Sequence, residues 1–175
     1  MKGVEALATI YDIAKKAGVS TATVSRVING ASYPIREETR KKILKAAEEL
    51  NYRPNTIAKS LASGRTYTIA LLIPTITNNF YTQLAEAIEE KLGEKGYNTY
   101  LCNTRRKIEK ESKYVDSLIA RRVDGVVFSP TRVKPEDNHI NEMNIIELQK
   151  NGIAVVAFGS HFKGVSQLYI NTYNG

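Results

Sequence analysis

The chain has 175 residues, 42% of them hydrophobic, and carries 25 Lys and Arg against 18 Asp and Glu, a formal charge of +7. That length and apolar content suffice for one or two folded domains, so disorder for want of a core is not the default. Cys102 is the only cysteine, which excludes an intrachain disulfide and a thiolate-built metal site, and apolar runs such as 69–74 are too short to span a bilayer. No basic segment leads into an apolar one at the N-terminus, so the expectation is a cytoplasmic protein with no membrane partner. The charge is unevenly spread: residues 1–65 hold 12 Lys and Arg against 6 Asp and Glu, and the other 110 hold 13 against 12. Concentrated positive charge suits the neutralisation of nucleic-acid phosphates, although a basic run is more often a solvated face.

From Thr9 to Asn29 the sequence TIYDIAKKAGVSTATVSRVIN places two capped helices around a glycine turn. Thr9 and Asp12 have the spacing of a helix-start signal, and Ile10, Ile13, Ala14 and Ala17 recur at i, i+3, i+4 and i+7. Gly18 ends that helix, and the Ser20 hydroxyl is placed to cap the next. On the second helix Val24, Val27 and Ile28 point one way, leaving Thr21, Ala22, Ser25 and Arg26 on the other face. This is the spacing of a DNA-reading helix-turn-helix, in which Arg26 would pair bidentately with guanine in the major groove. The plainer alternative is a helical hairpin with a polar face.

A third helix is expected after Pro34, opening on Glu37 and Glu38, with Ile43, Leu44, Ala47 and Leu50 as its apolar face. Three short helices close only a marginal core. Arg53-Pro54-Asn55 reads as a turn, and the helix expected over 56–62, stopping at Ser63-Gly64, is too short to be stable alone. It should be a linker that becomes helical when a second copy and a DNA groove supply contacts.

From Tyr67 the pattern changes to strand 68–73, helix 80–95, strand 97–103, helix 109–122, a strand within 123–129, helix 141–150, strand 153–158 and an extended piece at 167–170. The alternation predicts parallel βαβ units in an open α/β sheet. Ligands of such sheets bind beyond the carboxyl ends of the strands, here 74–81, 103–106, 129–132 and 159–161. The aromatics, amides, hydroxyls and arginines in those loops suit a sugar, nucleoside or similar polar metabolite, with plain surface loops as the alternative for any single residue. Residues 74–77 contain no glycine, so no dinucleotide cofactor is expected, and no cofactor of any kind is assigned. His139 and His161 stand apart from each other and from carboxylate clusters, so neither a catalytic nor a metal site is expected.

The motifs TIYDIAKKAGVSTATVSRVING, AAEELNYRPN, IAKSLASGR, TIALLIP followed by NNFYTQLAEAIEEKLGEKGY, and RRVDGVVFSP resemble the LacI/GalR family of bacterial transcription repressors, over essentially the whole chain. The resemblance implies an all-α helix-turn-helix headpiece at 1–54, a hinge helix and linker at 55–65, and an α/β parallel-sheet, periplasmic-binding-protein-like domain at 66–175. That domain is expected to be incomplete, because the sequence stops near where relatives cross into a second lobe. Also implied are a homodimer on a pseudo-palindromic double-stranded DNA operator, a small-molecule, sugar-like effector held between two lobes, and no enzymatic activity.

Residue by residue, the resemblance makes Thr21, Ala22 and Arg26 base-reading positions, with Thr21 and Ala22 setting operator preference. Ser20, Thr23, Ser25 and Asn29 match positions that meet phosphate or fix the turn. Leu61 matches the hinge leucine wedged into the minor groove, with Ala58 beside it. Phe80, Tyr81, Arg106, Ser129 and Gly159 match positions facing the effector cleft, Gly159 standing where relatives often carry an aspartate. Two other readings remain. A ligand-binding or enzymatic α/β domain with a helical extension calls for a secretion signal or a nucleophile and base, and none is visible. A DNA-architectural protein using charge and Leu61 alone would show no preference among operators.

Overall fold

A computed structural model of the protein describes residues 8–30, 33–55, 60–61, 63–131, 137–158, 162, 164 and 166–168. The chain divides into two compact units, Met1–Thr56 and Ile57–Gly175.

In the first unit, helices α1 (Ile10–Ala17), α2 (Thr21–Ile28) and α3 (Glu37–Glu49) enclose a small core. Thr9 and Asp12 form a reciprocal capping box: the Thr9 N–H donates to Asp12 Oδ2 at 2.8 Å, and the Asp12 N–H to Thr9 Oγ1 at 3.4 Å. Gly18 ends α1 in the left-handed region at φ 68, which a side chain would resist. Ile13, Val24 and Ile43 are fully buried, with Ala14, Val27, Ala46 and Ala47 around them. Each large side chain so buried contributes about 1.5–3 kcal/mol.

The expected apolar face of α3 needs one correction, since Leu44 is 49% exposed and Ala46 takes the buried place. Residues 43, 44, 47 and 50 and residues 43, 46, 47 and 50 both satisfy helical spacing. Close approach of α3 to α1 and α2 selects the set with the small side chain. Asn51, at φ 48, then stops the helix, and the Tyr52 N–H donates back to the Ala47 carbonyl at 2.9 Å, a Schellman cap.

The second unit is an α/β sheet of β1 (Thr68–Ile73), α4 (Asn79–Gly93), β2 (Asn98–Asn103), α5 (Ile108–Ala120), β3 (Gly125–Phe128), α6 (Asp137–Lys150), β4 (Ala154–Phe158) and β5 (Ser166–Leu168). The strands are parallel in the order β2-β1-β3-β4-β5. From β1 the chain steps outward to β2 and then back past β1 to β3. Right-handed crossovers therefore put α4 on one face and α5 and α6 on the other. Register aligns Cys102, Leu72, Phe128 and Ala157 in one row across the sheet, and this row packs with Val115 and Leu118 of α5 and Ile145 and Leu148 of α6. Leu71 and Ile73 alternate to the opposite face, also fully buried. At Gly125 a Cβ would lie 3.2 Å from both the Ala154 carbonyl and Ile69 Cδ1, so β3 enters the sheet where a side chain does not fit without movement.

Element boundaries differ modestly from the sequence expectation. Helix α6 opens at Asp137, a turn before residue 141, and α5 stops at Ala120. The reason for the stop is Arg122, at φ 53, which lets the Val123 N–H reach the Leu118 carbonyl at 3.3 Å and the Arg122 N–H reach Ile119 at 3.0 Å. Of the expected hinge helix, Ser60, Leu61 and Ser63 are helical, and residues 56–59 and 62 lie outside the described residues. Of the expected last extended piece, residues 169–170 also lie outside them.

Candidate nucleic-acid interface and effector cleft

The outer face of α2 is organised by two hydroxyl pairs. Ser20 caps the helix, accepting the Thr23 N–H at 3.2 Å, and its Oγ shares a 2.8 Å hydrogen bond with Thr23 Oγ1. At the other end Asn29 Nδ2 donates to Ser25 Oγ at 3.1 Å, and the Asn29 N–H donates to the Ser25 carbonyl at 3.0 Å. These four side chains fix both ends of the helix. Between them lie half-buried Thr21 and exposed Ala22 and Arg26, over a floor of Val24 and Val27. The Arg26 guanidinium lies 4.3 Å from the ring centroid of Tyr33, a residue the sequence reading passed over. Ala58 lies outside the described residues, whereas Leu61 is 78% exposed, with its side chain left in water.

In the α/β unit the strand order reverses between β1 and β3, and the ligand crevice of such sheets opens at that point, beyond the strand carboxyl ends. Asn78 accepts the Phe80 N–H at 2.9 Å and so starts α4 with two aromatics in its first turn. The Phe80 ring stacks on Phe158 at the end of β4, with centroids 5.4 Å apart and 20° between planes, and meets Tyr81 edge-on at 5.3 Å. Ser129 follows β3, is buried, and donates its N–H to the Leu72 carbonyl at 2.8 Å. Arg106 is exposed after β2, and its N–H donates to the Pro74 carbonyl at 2.9 Å. Arg105 and Arg106 both have left-handed backbones, φ 55 and 57, a strained pair of the kind that gathers at binding loops. Phe80, Tyr81, Arg106 and Ser129 thus all occupy the same end of the sheet. Gly159 lies outside the described residues.

Beneath these loops is a buried polar network that the sequence reading missed. Glu111 of α5 is fully buried and accepts the Thr131 N–H at 2.6 Å and Asn144 Nδ2 at 3.1 Å. Thr131 Oγ1 shares a 2.6 Å hydrogen bond with Thr104 Oγ1, and Asn141 Nδ2 donates to the Thr131 carbonyl at 3.2 Å. The network ties the loop after β3, which carries Ser129, to the loop after β2, which carries Arg106. The signal was present: Glu111 precedes Val115 and Leu118 by four and seven residues, on the apolar stripe of α5. Phe158, which the sequence pattern marks only as a strand end, also joins the aromatic group of Phe80 and Tyr81. At the opposite, amino-terminal end of the sheet a cleft of about 820 Å³ opens beside Arg65, Tyr97, Arg122, Asp124 and Ile153. Its carboxylate, Asp124, accepts the backbone N–H groups of Thr66 and Tyr67.

Among the described residues no group of three or more His, Cys, Asp or Glu is placed to hold a metal, and no helix is long and apolar enough to cross a membrane.

The class this architecture defines is a helix-turn-helix protein with a periplasmic-binding-protein-like α/β unit. A family model described as bacterial regulatory proteins, lacI family, matches residues 9–55, and one described as periplasmic binding proteins and sugar binding domain of LacI family matches residues 66–163. The chain belongs to the LacI family. It is 40% identical over 152 residues to catabolite control protein A of Priestia megaterium, covering 87% of this chain and 43% of that protein. To the HTH-type transcriptional regulator RegA of Clostridium saccharobutylicum it is 43% identical over 138 residues, covering 78% and 41%. The fold superposes with a TM-score of 0.72 and 28% identity on a lac repressor dimer bound to operator and the anti-inducer ONPF, covering 87% of this chain and 44% of that one. The chain spans less than half the length of these relatives.

Proposed function

We propose that this chain is a sequence-specific DNA-binding transcriptional repressor, acting in the cytoplasm as a homodimer on a pseudo-palindromic operator under control of a sugar-like effector. Residues 1–54 form the DNA-binding headpiece, 55–65 the hinge and 66–175 effector-binding structure. The observation that carries this reading is the outer face of α2. Its hydroxyl pairs, Ser20 with Thr23 and Ser25 with Asn29, are locked at the helix ends, while Thr21, Ala22 and Arg26 are presented between them. Small side chains let a helix approach base edges, and an arginine not consumed by a carboxylate keeps both donors for guanine O6 and N7.

Leu61 acts as the minor-groove wedge, with Ala58 beside it, and the positive charge of residues 1–65 supplies phosphate contacts. In the α/β unit the aromatic group of Phe80, Tyr81 and Phe158 takes the apolar face of the effector, and Arg106 and Ser129 take its oxygens. The effector shifts the balance between DNA-competent and incompetent dimers, and no residue performs covalent chemistry. Fluorescence anisotropy at one near-physiological salt concentration tests the reading, using a palindrome selected from a randomised duplex library and a scrambled duplex. The palindrome should bind more tightly, and Arg26→Ala should cost about 1–3 kcal/mol on it with little effect on the scrambled duplex. Equal weak binding to both duplexes would sink the proposal.

A further inference from the structure

Arg26 stands in the last turn of α2, and Tyr33 in the loop that leads into α3. The guanidinium carbon lies 4.3 Å from the Tyr33 ring centroid, within the range of a cation–π contact. Tyr33 is 54% exposed and takes no part in the headpiece core, so burial does not explain where its ring sits. Among the described residues no carboxylate pairs with Arg26. The residue after Tyr33 is Pro34, whose ring restricts the Tyr33 backbone to extended conformations and so stiffens the stem that presents the aromatic.

The geometry of a guanidinium makes this arrangement useful. Its five N–H donors lie in one plane, and an aromatic ring stacks on the face of that plane without consuming any of them. A carboxylate partner would occupy two of the donors that a guanine needs. A ring on that face and a base at that edge would engage the same group from orthogonal directions. A long, rotamer-rich side chain held in advance also loses less freedom on meeting DNA.

We propose that Tyr33 is a positioning residue for base reading: its ring holds the Arg26 guanidinium in the orientation that offers paired donors to the operator. This inference rests on the DNA-reading role proposed above for α2.

The test uses the full 175-residue chain, with the library-selected palindrome and the scrambled duplex at one salt concentration. Tyr33→Leu should reduce the preference for the palindrome by about two- to fivefold, as expected of an exposed cation–π contact. Tyr33→Phe keeps the ring and should keep the preference. In an Arg26→Ala background Tyr33→Leu should have no further effect, because nothing remains to be positioned. Equal losses for Tyr33→Phe and Tyr33→Leu, or the same loss without Arg26, would mean that the phenol touches DNA itself and would overturn the proposal. A DNA-free readout separates this inference from the function it rests on. In the NMR spectrum of the free protein, the Arg26 side-chain protons should be shifted upfield by the ring, retained in Tyr33→Phe and lost in Tyr33→Leu. No such shift in the unmodified chain overturns the positioning role directly. A chain that prefers the palindrome regardless of Tyr33 overturns this inference alone, and one with no preference at all overturns the DNA-reading role and this inference with it.

Discussion

Asp124 accepts the backbone N–H of Thr66 at 2.8 Å, a contact across 58 residues of sequence that fastens the start of the α/β unit to the entrance of β3. The same oxygen accepts Thr66 Oγ1 at 3.1 Å, and Oδ2 accepts the Tyr67 N–H at 3.1 Å. Tyr67 is held here at φ 51, a left-handed backbone that costs a non-glycine residue about 1 kcal/mol or more. One carboxylate thus stabilises both a chain entry and a strained residue. In Asp124→Asn at least one donor must face an amide NH2. We expect unfolding free energy of the α/β unit to fall by about 1–3 kcal/mol in urea titrations, with faster amide exchange at Thr66 and Tyr67. An unchanged midpoint and unchanged exchange would show that the clamp carries no stability.

Glu111→Leu removes the acceptor of the Thr131 N–H and of Asn144 Nδ2 in a fully buried setting. Each stranded donor costs about 1–3 kcal/mol, so the variant should unfold well before the parent in urea. Glu111→Gln keeps one acceptor oxygen and should lose less. Equal stability of all three proteins would remove the network from any account of the cleft loops.

The headpiece should loosen in acid. The Thr9 hydroxyl and then its backbone N–H donate to Asp12 and hold its carboxyl below the ordinary value of 3.8; the Lys16 ammonium, by hydrogen bond and then by charge, does the same for Glu49, whose ordinary value is 4.5. Because both folded values are lowered, the stability they contribute is complete above the unfolded values and disappears as pH falls through the folded ones. Far-UV circular dichroism should show helix loss beginning below about pH 4.5. Thr9→Ala should move the acid midpoint upward, and an unmoved midpoint would contradict the capping box as its source.

Cys102 is fully buried on β2, and burial pushes its thiol up to about 12, against a smaller opposing effect of Arg121 and Lys110. The thiolate is the reactive form, so the native protein at pH 8 should be inert to a disulfide-exchange reagent and should react fully in urea. Rapid native labelling would mean that β2 opens at the sheet edge.

Leu61→Ala should leave folding within about 0.5 kcal/mol of the parent, because a side chain that is 78% exposed supports no core. On the selected palindrome it should weaken binding by about tenfold and reduce the bend measured by ligase-mediated cyclisation. Unaltered affinity and bend would assign Leu61 to a spacer.

What the amino-acid order determined by itself is local. Thr9 with Asp12, Gly18 and Ser20 signal their helices because a cap is a bargain among residues three or four apart, and the alternation of apolar residues from Thr68 to Phe158 signals a parallel α/β sheet because its periods of two and 3.6 are written in the chain. The same locality made α2 and its outward residues legible, and with them the family. Tertiary structure decided the rest. Periodicity permits either Leu44 or Ala46 on the buried face of α3, and only the approach of α1 and α2 chooses the alanine. Nothing near Phe80 in sequence announces Phe158, nothing near Glu111 announces Thr131, and nothing near Thr66 announces Asp124. The first two pairs meet at the carboxyl end of the sheet and the third at its amino end, because strand order brings together segments distant in sequence, and a partner chosen by that closure leaves no periodic mark in the chain.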